Sequence, residues 1–365
     1  MCRTAKSLKL FEQVSERIHN KDLYFVPPFP GSIAKLIGPK SPFFKHGDLV
    51  AMIAYRDGKP VGRIAAIENR SHNRYYKDRV GFFGFFDFID DEEVARALFT
   101  AAEKELSQRG LTSIRGPYNP TVNDECGLLV EGFDSSPFIM MPYNPAYYIN
   151  IYHSLNLSGV RDLYAYYMAT SVAIPAKVTR VIERFKKTGR ITVRNIDMTR
   201  LQEELKIIQE LYNATLNRNW GFTPLSFEDL AFAANDLKAF VHPDLVLIAE
   251  KDGQPVGFSM FLPNINELMW RVKKSSRWVR ILKFLWHLKR NPPKEARLAV
   301  LGVKPEFQSS GVAPVFYYET LSRGRERFMG GEASWIEESN TPMIRTLELF
   351  GAQKYKNYRV FEKSL

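Results

Sequence analysis

Apolar and polar positions in the second half of the chain follow an order that predicts a mixed α/β domain. A strand-like run at Arg190 to Ile196 leads into a helical region at Thr199 to Asn217. A Gly- and Pro-bearing connection at Asn219 to Pro224 and a helix from Ser226 follow. Next come a hairpin around Asp252-Gly253, a strand at Arg297 to Val303, a loop, and a helix at Val312 to Phe328. A strand at Glu332 to Glu338, a helix at Thr341 to Phe350 and a last strand complete the series. Helices flanking one central mixed sheet satisfy this order.

The same pattern occurs twice. Asp57-Gly58-Lys59-Pro60-Val61-Gly62 and Asp252-Gly253-Gln254-Pro255-Val256-Gly257 differ at one position and lie 195 residues apart in a chain of 365. Each follows a strand-like run, Leu49 to Tyr55 and Leu245 to Glu250, and an Asp-Gly turn between apolar runs is a strong hairpin signal. Asn144-Pro145-Ala146-Tyr147-Tyr148-Ile149 resembles Asn340-Thr341-Pro342-Met343-Ile344 at an offset of 195 or 196. Each then runs into a Tyr-rich strand, Asp162 to Met168 and Lys354 to Glu362. A period this long predicts two copies of one domain, divided as residues 1–170 and 171–365, rather than a stacked array.

Composition suits two ordinary cores. No run of about 18 uncharged apolar residues is present, and Met1 to Leu10 carries charge without an apolar signal core, so the expectation is a cytoplasmic protein. Cys2, Cys126 and six scattered His residues suggest neither a disulfide framework nor a metal site.

The net charge of +11 is concentrated, because Leu268 to Arg290 holds eight Lys or Arg and no acid. Trp278, Ile281, Leu282, Leu285 and Leu288 recur there at helical spacing, with Arg277, Arg280, Lys283 and Arg290 on the other side. Three readings are open for this insertion: a membrane-surface element, a basic patch for a phosphorylated ligand or RNA, or a helix packed over the second domain with a solvated cationic face. Base rates for charged faces favour the last. Nucleic acid is not expected as a partner.

Chemistry enters at Val303-Lys304-Pro305-Glu306-Phe307-Gln308-Ser309-Ser310-Gly311-Val312-Ala313. A strand that ends in a turn of small residues and opens a helix aims several backbone N–H groups at one point, beside the positive end of the helix. A pyrophosphate fits such a turn, and Gly311 lets backbone approach it closely. The segment resembles the signature of the GNAT superfamily of acyl-CoA-dependent N-acyltransferases, which is Gln or Arg, two residues, Gly, one residue, then Gly or Ala. Gln308, Gly311 and Ala313 match it, and the likeness extends over residues 190–365 and more loosely over the first copy.

The resemblance implies acetyl-CoA or another acyl-CoA as cofactor and transfer, expected to be of acetyl, to a small-molecule or peptide amine. It places backbone groups of Leu301, Gly302 and Val303 on the pantetheine arm. Those of Gln308, Ser309, Ser310, Gly311, Val312 and Ala313 fall on the pyrophosphate, and Asn340 near the thioester. Attack on the thioester needs a base for the ammonium proton and an acid for the departing thiolate. Glu337 and Glu338 are the candidate bases, and since neighbours on a strand face opposite ways only one faces the cleft; Glu338 is preferred. The family's phenol, seven residues after the Asn, is Leu347 here, which leaves Tyr355, Tyr358 or water as the acid.

In the first copy, Val80 to Phe86 is followed by Asp87, Asp90, Asp91, Glu92 and Glu93, which repel an anion and suit a helix start. No cofactor is expected there, although Tyr152 stands where the second copy has Leu347. The connection Gly116 to Pro142, with Asn119, Asn123, Asp124, Glu125, Gly127 and Glu131, is either an acceptor site whose Asp124 and Glu125 meet a cationic substrate or a lid over the seam between domains. Asn219 and Trp220 lie where the family builds its acceptor pocket, and Trp220 suits a core equally. Two other functions fit the chain: a Fem-type tRNA-dependent aminoacyl transferase, or a non-catalytic acyl-CoA or membrane-surface binding protein using Trp270, Trp278 and Trp286.

Overall fold

The structure, a computed structural model, describes residue 2, residues 4–188 and residues 191–365; the expected strand start at Arg190 and the side chain of Ser309 lie outside the described residues. The chain opens with α1 (Ala5–His19), α2 (Ser32–Leu36), β1 (Gly47–Arg56), β2 (Lys59–Asn69), α3 (Arg70–Tyr76), β3 (Val80–Phe88) and α4 (Glu92–Gln108). It continues with β4 (Ser113–Gly116), β5 (Tyr118–Asn119), β6 (Glu125–Cys126), β7 (Leu128–Glu131), α5 (Tyr147–Ser154) and β8 (Ser158–Ala169). The second series is α6 (Ala176–Thr188), β9 (Ile191–Asn195), α7 (Leu201–Thr215), α8 (Phe227–Leu237), β10 (Val246–Lys251), β11 (Gln254–Pro263), α9 (Asn266–Val272) and α10 (Arg277–Arg290). It ends with β12 (Glu295–Val303), α11 (Val312–Gly324), β13 (Gly330–Glu337), α12 (Thr341–Leu349) and β14 (Gln353–Ser364).

Two compact units divide these elements. The first holds Met1–Leu163, Asn266–Asn291 and Lys356–Leu365; the second holds Tyr164–Ile265 and Pro292–Tyr355. Tandem order alone assigns residues 266–291 and the C-terminal residues to the second copy. Their partners lie in the first unit instead. Arg280 chelates Glu16 through both terminal nitrogens. Lys273 donates to the carbonyls of Asp22 and Leu23, and Asn266 to those of Pro137 and Phe138. The basic insertion, expected to pack over the second domain, therefore belongs to the first unit.

Both hairpins form. Asp57 and Gly58, and Asp252 and Gly253, all adopt positive φ, as a tight two-residue turn demands. Each hairpin slips register at one place, between Ala54 and Tyr55 and between Ala249 and Glu250, again 195 residues apart. The duplication thus extends to a shared β-bulge.

In the first unit the strand order is β1-β2-β3-β4-β14, antiparallel except where β3 and β4 pair in parallel. Helix α4 turns Val94, Leu98, Phe99 and Leu106 onto Phe83, Phe86 and Phe88. Asp91 caps its start by accepting from the Val94 N–H at 3.2 Å. In the second unit the order is β13-β12-β11-β10-β9, with β12 and β13 parallel. Alternation along β10 splits its burial between two faces: Val246 and Ile248 join Ile208 and Leu211 of α7, while Leu247 and Ala249 join Val312 and Phe316 of α11.

Candidate functional site

The parallel pair in the second unit does not run its full length. Strands β12 and β13 are in register from Glu295↔Gly330 to Leu298↔Ala333 and then part. Strand β12 stays paired to β11 as far as Gly257↔Val303, with a bulge that leaves Ala299 unmatched between Leu298 and Val300. A bulge bends a strand, and this one sits where the two strands separate. The edge of β12 through Leu301, Gly302 and Val303 is thus left to meet something other than β13. Gly302 has no room for a side chain, since a Cβ would lie 2.1 Å from Thr215 Oγ1 on α7.

Past Val303 the loop is held by its own backbone. The Lys304 N–H donates to Val256 O at 2.9 Å, and the Gln308 amide donates to Val303 O at 3.4 Å. Pro305–Ser310 form a 3-10 turn, and Gly311, at φ +90°, swings the chain into α11. Among the described residues, no side chain caps α11. Pro314 has no N–H, so the outward donors of the first turn are Val312 and Ala313, which follow Gly311 as the anion-binding reading requires.

The expected catalytic residues scatter. Glu337 accepts from the Ser339 hydroxyl, and Glu338, just past β13, is exposed. Asn340 is the N-cap of α12, accepting from the Met343 N–H at 3.3 Å, while its own N–H donates to Glu337 O at 2.9 Å. Leu347 is buried among Phe350, Ile336 and Val315. Tyr355 donates its hydroxyl to Glu332, and Tyr358 is buried in the first unit.

Sequence reasoning missed Glu332. It is 1% exposed and accepts from Ser334 as well as Tyr355. Arg297 donates to Ser334 Oγ at 2.7 Å and to Ser334 O at 2.9 Å, and lies 3.8 Å from Glu332. This polar cluster lies at the last paired residues before β12 and β13 part. Its only signal in the sequence is an acid and a serine two apart in an apolar strand, Glu332-Ala333-Ser334, which period-two alternation puts on one face.

Helix α6 adds a second unforeseen element. Val178 and Ile182 are buried in the apolar cluster that holds Leu298 of β12, Ala333 and Ile336 of β13, and Leu347 of α12. Phe185 lies 3.6 Å from where a Cβ on Gly311 would stand. The apolar face of α6 therefore shares a core with the last paired residues of β12 and β13, while the helix itself packs along α11 and β9.

Around the α7–α8 connection, Asn213 pairs with both the N–H and the carbonyl of Leu225, at 2.9 and 3.1 Å. Asn219 is exposed and Trp220 half-buried, with Phe222 stacked on Tyr212 at 5.8 Å.

The first unit closes its corresponding opening with its own chain. Strands β3 and β4 pair only from Val80↔Ser113 to Phe82↔Arg115. Beyond that point Tyr118 and Asn119 lie against β3. Asn119 Oδ1 accepts from the Phe85 N–H, Tyr118 stacks on Phe82 at 5.0 Å, and a Cβ on Gly84 would be 1.5 Å from Tyr118 O. Glu125 accepts from Asn119 at 3.0 Å, and Asp124 from Thr121 Oγ1 at 2.7 Å, so both carboxylates brace this ribbon. Asp87 is sandwiched by Arg63 at 2.7 Å and His19 at 3.2 Å. Burial raises its pKa, but the charge of Arg63 and the His19 contact outweigh that and hold the carboxyl well below its usual range. Tyr152 is fully buried, and burial drives its phenol far up, with the Asp87 charge adding to the rise.

A parallel pair that parts at a bulge, followed by a tight turn and an uncapped helix, defines an acyltransferase fold of the GNAT type. Residues 206–352 match the family described as Acetyltransferase (GNAT) family. The chain is 34% identical to Protein YghO of Escherichia coli (strain K12), over 98% of this chain and 93% of that protein. It is also 34% identical to a bacterial ceramide synthase of Caulobacter vibrioides (strain NA1000 / CB15N), over 100% of this chain and 96% of that protein. A tandem GNAT protein from the clavulanic acid biosynthesis pathway shares the fold, with a TM-score of 0.59 over 100% of this chain and 97% of that one at 11% identity. The chain belongs to the GNAT superfamily, with two such domains in tandem.

Proposed function

We propose that the second unit transfers an acyl group from acyl-CoA to the primary amine of a long-chain base. The observation that carries the acyl-CoA part is the parting of β12 and β13 beside the uncapped start of α11. It offers one strand edge for an amide-bearing arm and two N–H groups for a pyrophosphate. In the reaction the amine nitrogen bonds to the thioester carbon and the C–S bond breaks. A carboxylate takes the ammonium proton and the thiolate leaves with a proton from a phenol or water. Glu338 is the proposed base, since it is exposed at the end of β13. Holding both reactants in one cleft supplies much of the rate.

The long-chain acceptor is supported by the full-length likeness to a protein called a ceramide synthase, a ceramide being the amide of a long-chain amino alcohol with a fatty acid. The apolar residues around the cleft, Leu298, Val315, Ile336, Leu347 and Phe350, suit an aliphatic chain once α6 moves aside. Acetyl transfer is the narrower sequence expectation and is separable by experiment. Purified protein is incubated with sphinganine and a series of acyl-CoAs from acetyl to palmitoyl, and the amide is detected by mass spectrometry. Product with long acyl chains supports the proposal, and a preference for acetyl-CoA returns the donor to the smaller group. Absence of both binding and turnover with every acyl-CoA overturns it.

A further inference from the structure

Helix α10 is turned from the orientation its pattern favours, so that Arg277 and Arg280 of the cationic side face inward and Trp278, Leu282 and Leu285 of the apolar side face outward. Its inward side is anchored by Arg280, 5% exposed and chelating Glu16, and by Phe284, fully buried with its ring edge-on to Phe29 at 5.4 Å. Arg277 also turns inward, 3.8 Å from Glu12. The outward side is therefore apolar at its centre: Trp278 is 76% exposed, Leu282 68%, Leu285 53% and Trp286 56%. Lys283, Lys289 and Arg290 are exposed on the same arc. Single exposed apolar residues are ordinary, but two Trp and two Leu at i, i+4, i+7 and i+8 of one helix form a continuous stripe.

We propose that α10 docks the protein on an anionic lipid surface, with Trp278, Leu282, Leu285 and Trp286 in the headgroup boundary and Lys283, Lys289 and Arg290 on lipid phosphates. Fourteen residues make a helix of roughly 21 Å, too short for a hydrocarbon core of about 30 Å. No helix among the described residues is long and apolar enough to cross a membrane. The helix therefore lies in the plane of the interface, where Trp is favoured and basic residues gain from anionic lipid. A second copy of this chain is a poorer occupant: a two-fold contact sets the same patch against itself, so three cations on one helix meet three on the other. The inference concerns the first unit and stands independently of the reaction proposed for the second.

The full chain is sedimented with vesicles of phosphatidylglycerol and phosphatidylcholine, or of phosphatidylcholine alone, beside a variant carrying Trp278→Glu, Leu282→Glu and Leu285→Glu. These positions are exposed, and an unchanged melting temperature confirms that the variant folds. The expected result is binding to the anionic vesicles that falls at least about tenfold in the variant, a loss of about 1.4 kcal/mol, and weakens as salt is raised. A second variant with Lys283, Lys289 and Arg290 each changed to Glu loses the preference for phosphatidylglycerol. The proposal is overturned if the wild-type chain ignores both vesicles, or if the first variant sediments as well as wild type. It is also overturned if ultracentrifugation finds a dimer that the first variant dissociates while vesicle binding is absent.

Discussion

Tyr355 donates its hydroxyl hydrogen to Glu332, a carboxylate with 1% of its surface exposed that also accepts from Ser334. That bond gives the phenol a structural use. Replacing Tyr355 with Phe removes a donor from a buried carboxylate, which costs about 1–3 kcal/mol. The expected outcome is a lower melting temperature with kcat changed by less than about tenfold. A fall of about a hundredfold in kcat at unchanged melting temperature would instead identify Tyr355 as the acid for the thiolate.

Gly311 separates charge from strain in the proposed pyrophosphate site. Its φ of +90° makes any side chain strained by about 1–2 kcal/mol, yet the nearest atom to an added Cβ is 3.6 Å away. Gly311→Ala and Gly311→Glu share that strain, and only the second brings a carboxylate to the phosphates. Calorimetric titration with acyl-CoA should show the Glu variant at least about tenfold weaker than the Ala variant. Equal affinities would place the phosphates elsewhere.

Glu338 should matter to turnover rather than to folding, being exposed at a strand end. Glu338→Gln is expected to lower kcat about a hundredfold. Glu337→Gln, which keeps a group able to accept from Ser339, serves as its control. If the two effects are reversed, Glu337 is the base.

Ile182 of α6 lies in the apolar cluster that holds Leu298 of β12 and Ala333 of β13. Introducing Asp there should loosen α6 from that cluster and tighten long-chain acyl-CoA binding, because the ligand no longer competes with an intramolecular helix. Weaker binding in Ile182→Asp would mean that α6 forms part of the bound site.

His72 makes the first unit sensitive to mild acid. Burial lowers its pKa from 6.5 to about 4, with the Arg115 charge helping and Glu362 opposing. Because the folded value lies below the unfolded one, the stability at stake is full above about 6.5 and is lost as pH falls from there toward 4. His72 packs against Tyr76 and Phe82 with ring centroids 4.5 and 4.9 Å away, so a similar ring fits its place. Denaturant titrations of His72→Phe should show a shallower loss of stability across that window.

Local signals were the legible ones. Asp57-Gly58 and Asp252-Gly253 predict their hairpins because the positive φ they supply is demanded by the turn itself. Ser226 predicts the start of α8 because its hydroxyl accepts an N–H three residues on. The order from β9 to β14 followed from such signals and from apolar periodicity. The facing of α10 did not, because Arg280 is held inward by Glu16, 264 residues earlier, and no periodic pattern encodes a partner so distant. The Glu332 cluster was hidden similarly, since Arg297 and Tyr355 reach it from other strands. Helix α6 was overlooked because its apolar face is short, and what covers it is set by the tertiary fold.

Tyr118 and Asn119 sit in the first unit's opening as a tethered substitute for a ligand. A tethered group is present at saturating effective concentration, whereas a free one occupies its site by mass action. Under the proposed reading, the first half of the duplication is filled whatever the acyl-CoA supply, and the second gains stability with the logarithm of that supply. Heating the protein at rising acyl-CoA concentration would pull apart two unfolding events that an ancestral pair of equal halves would have shared.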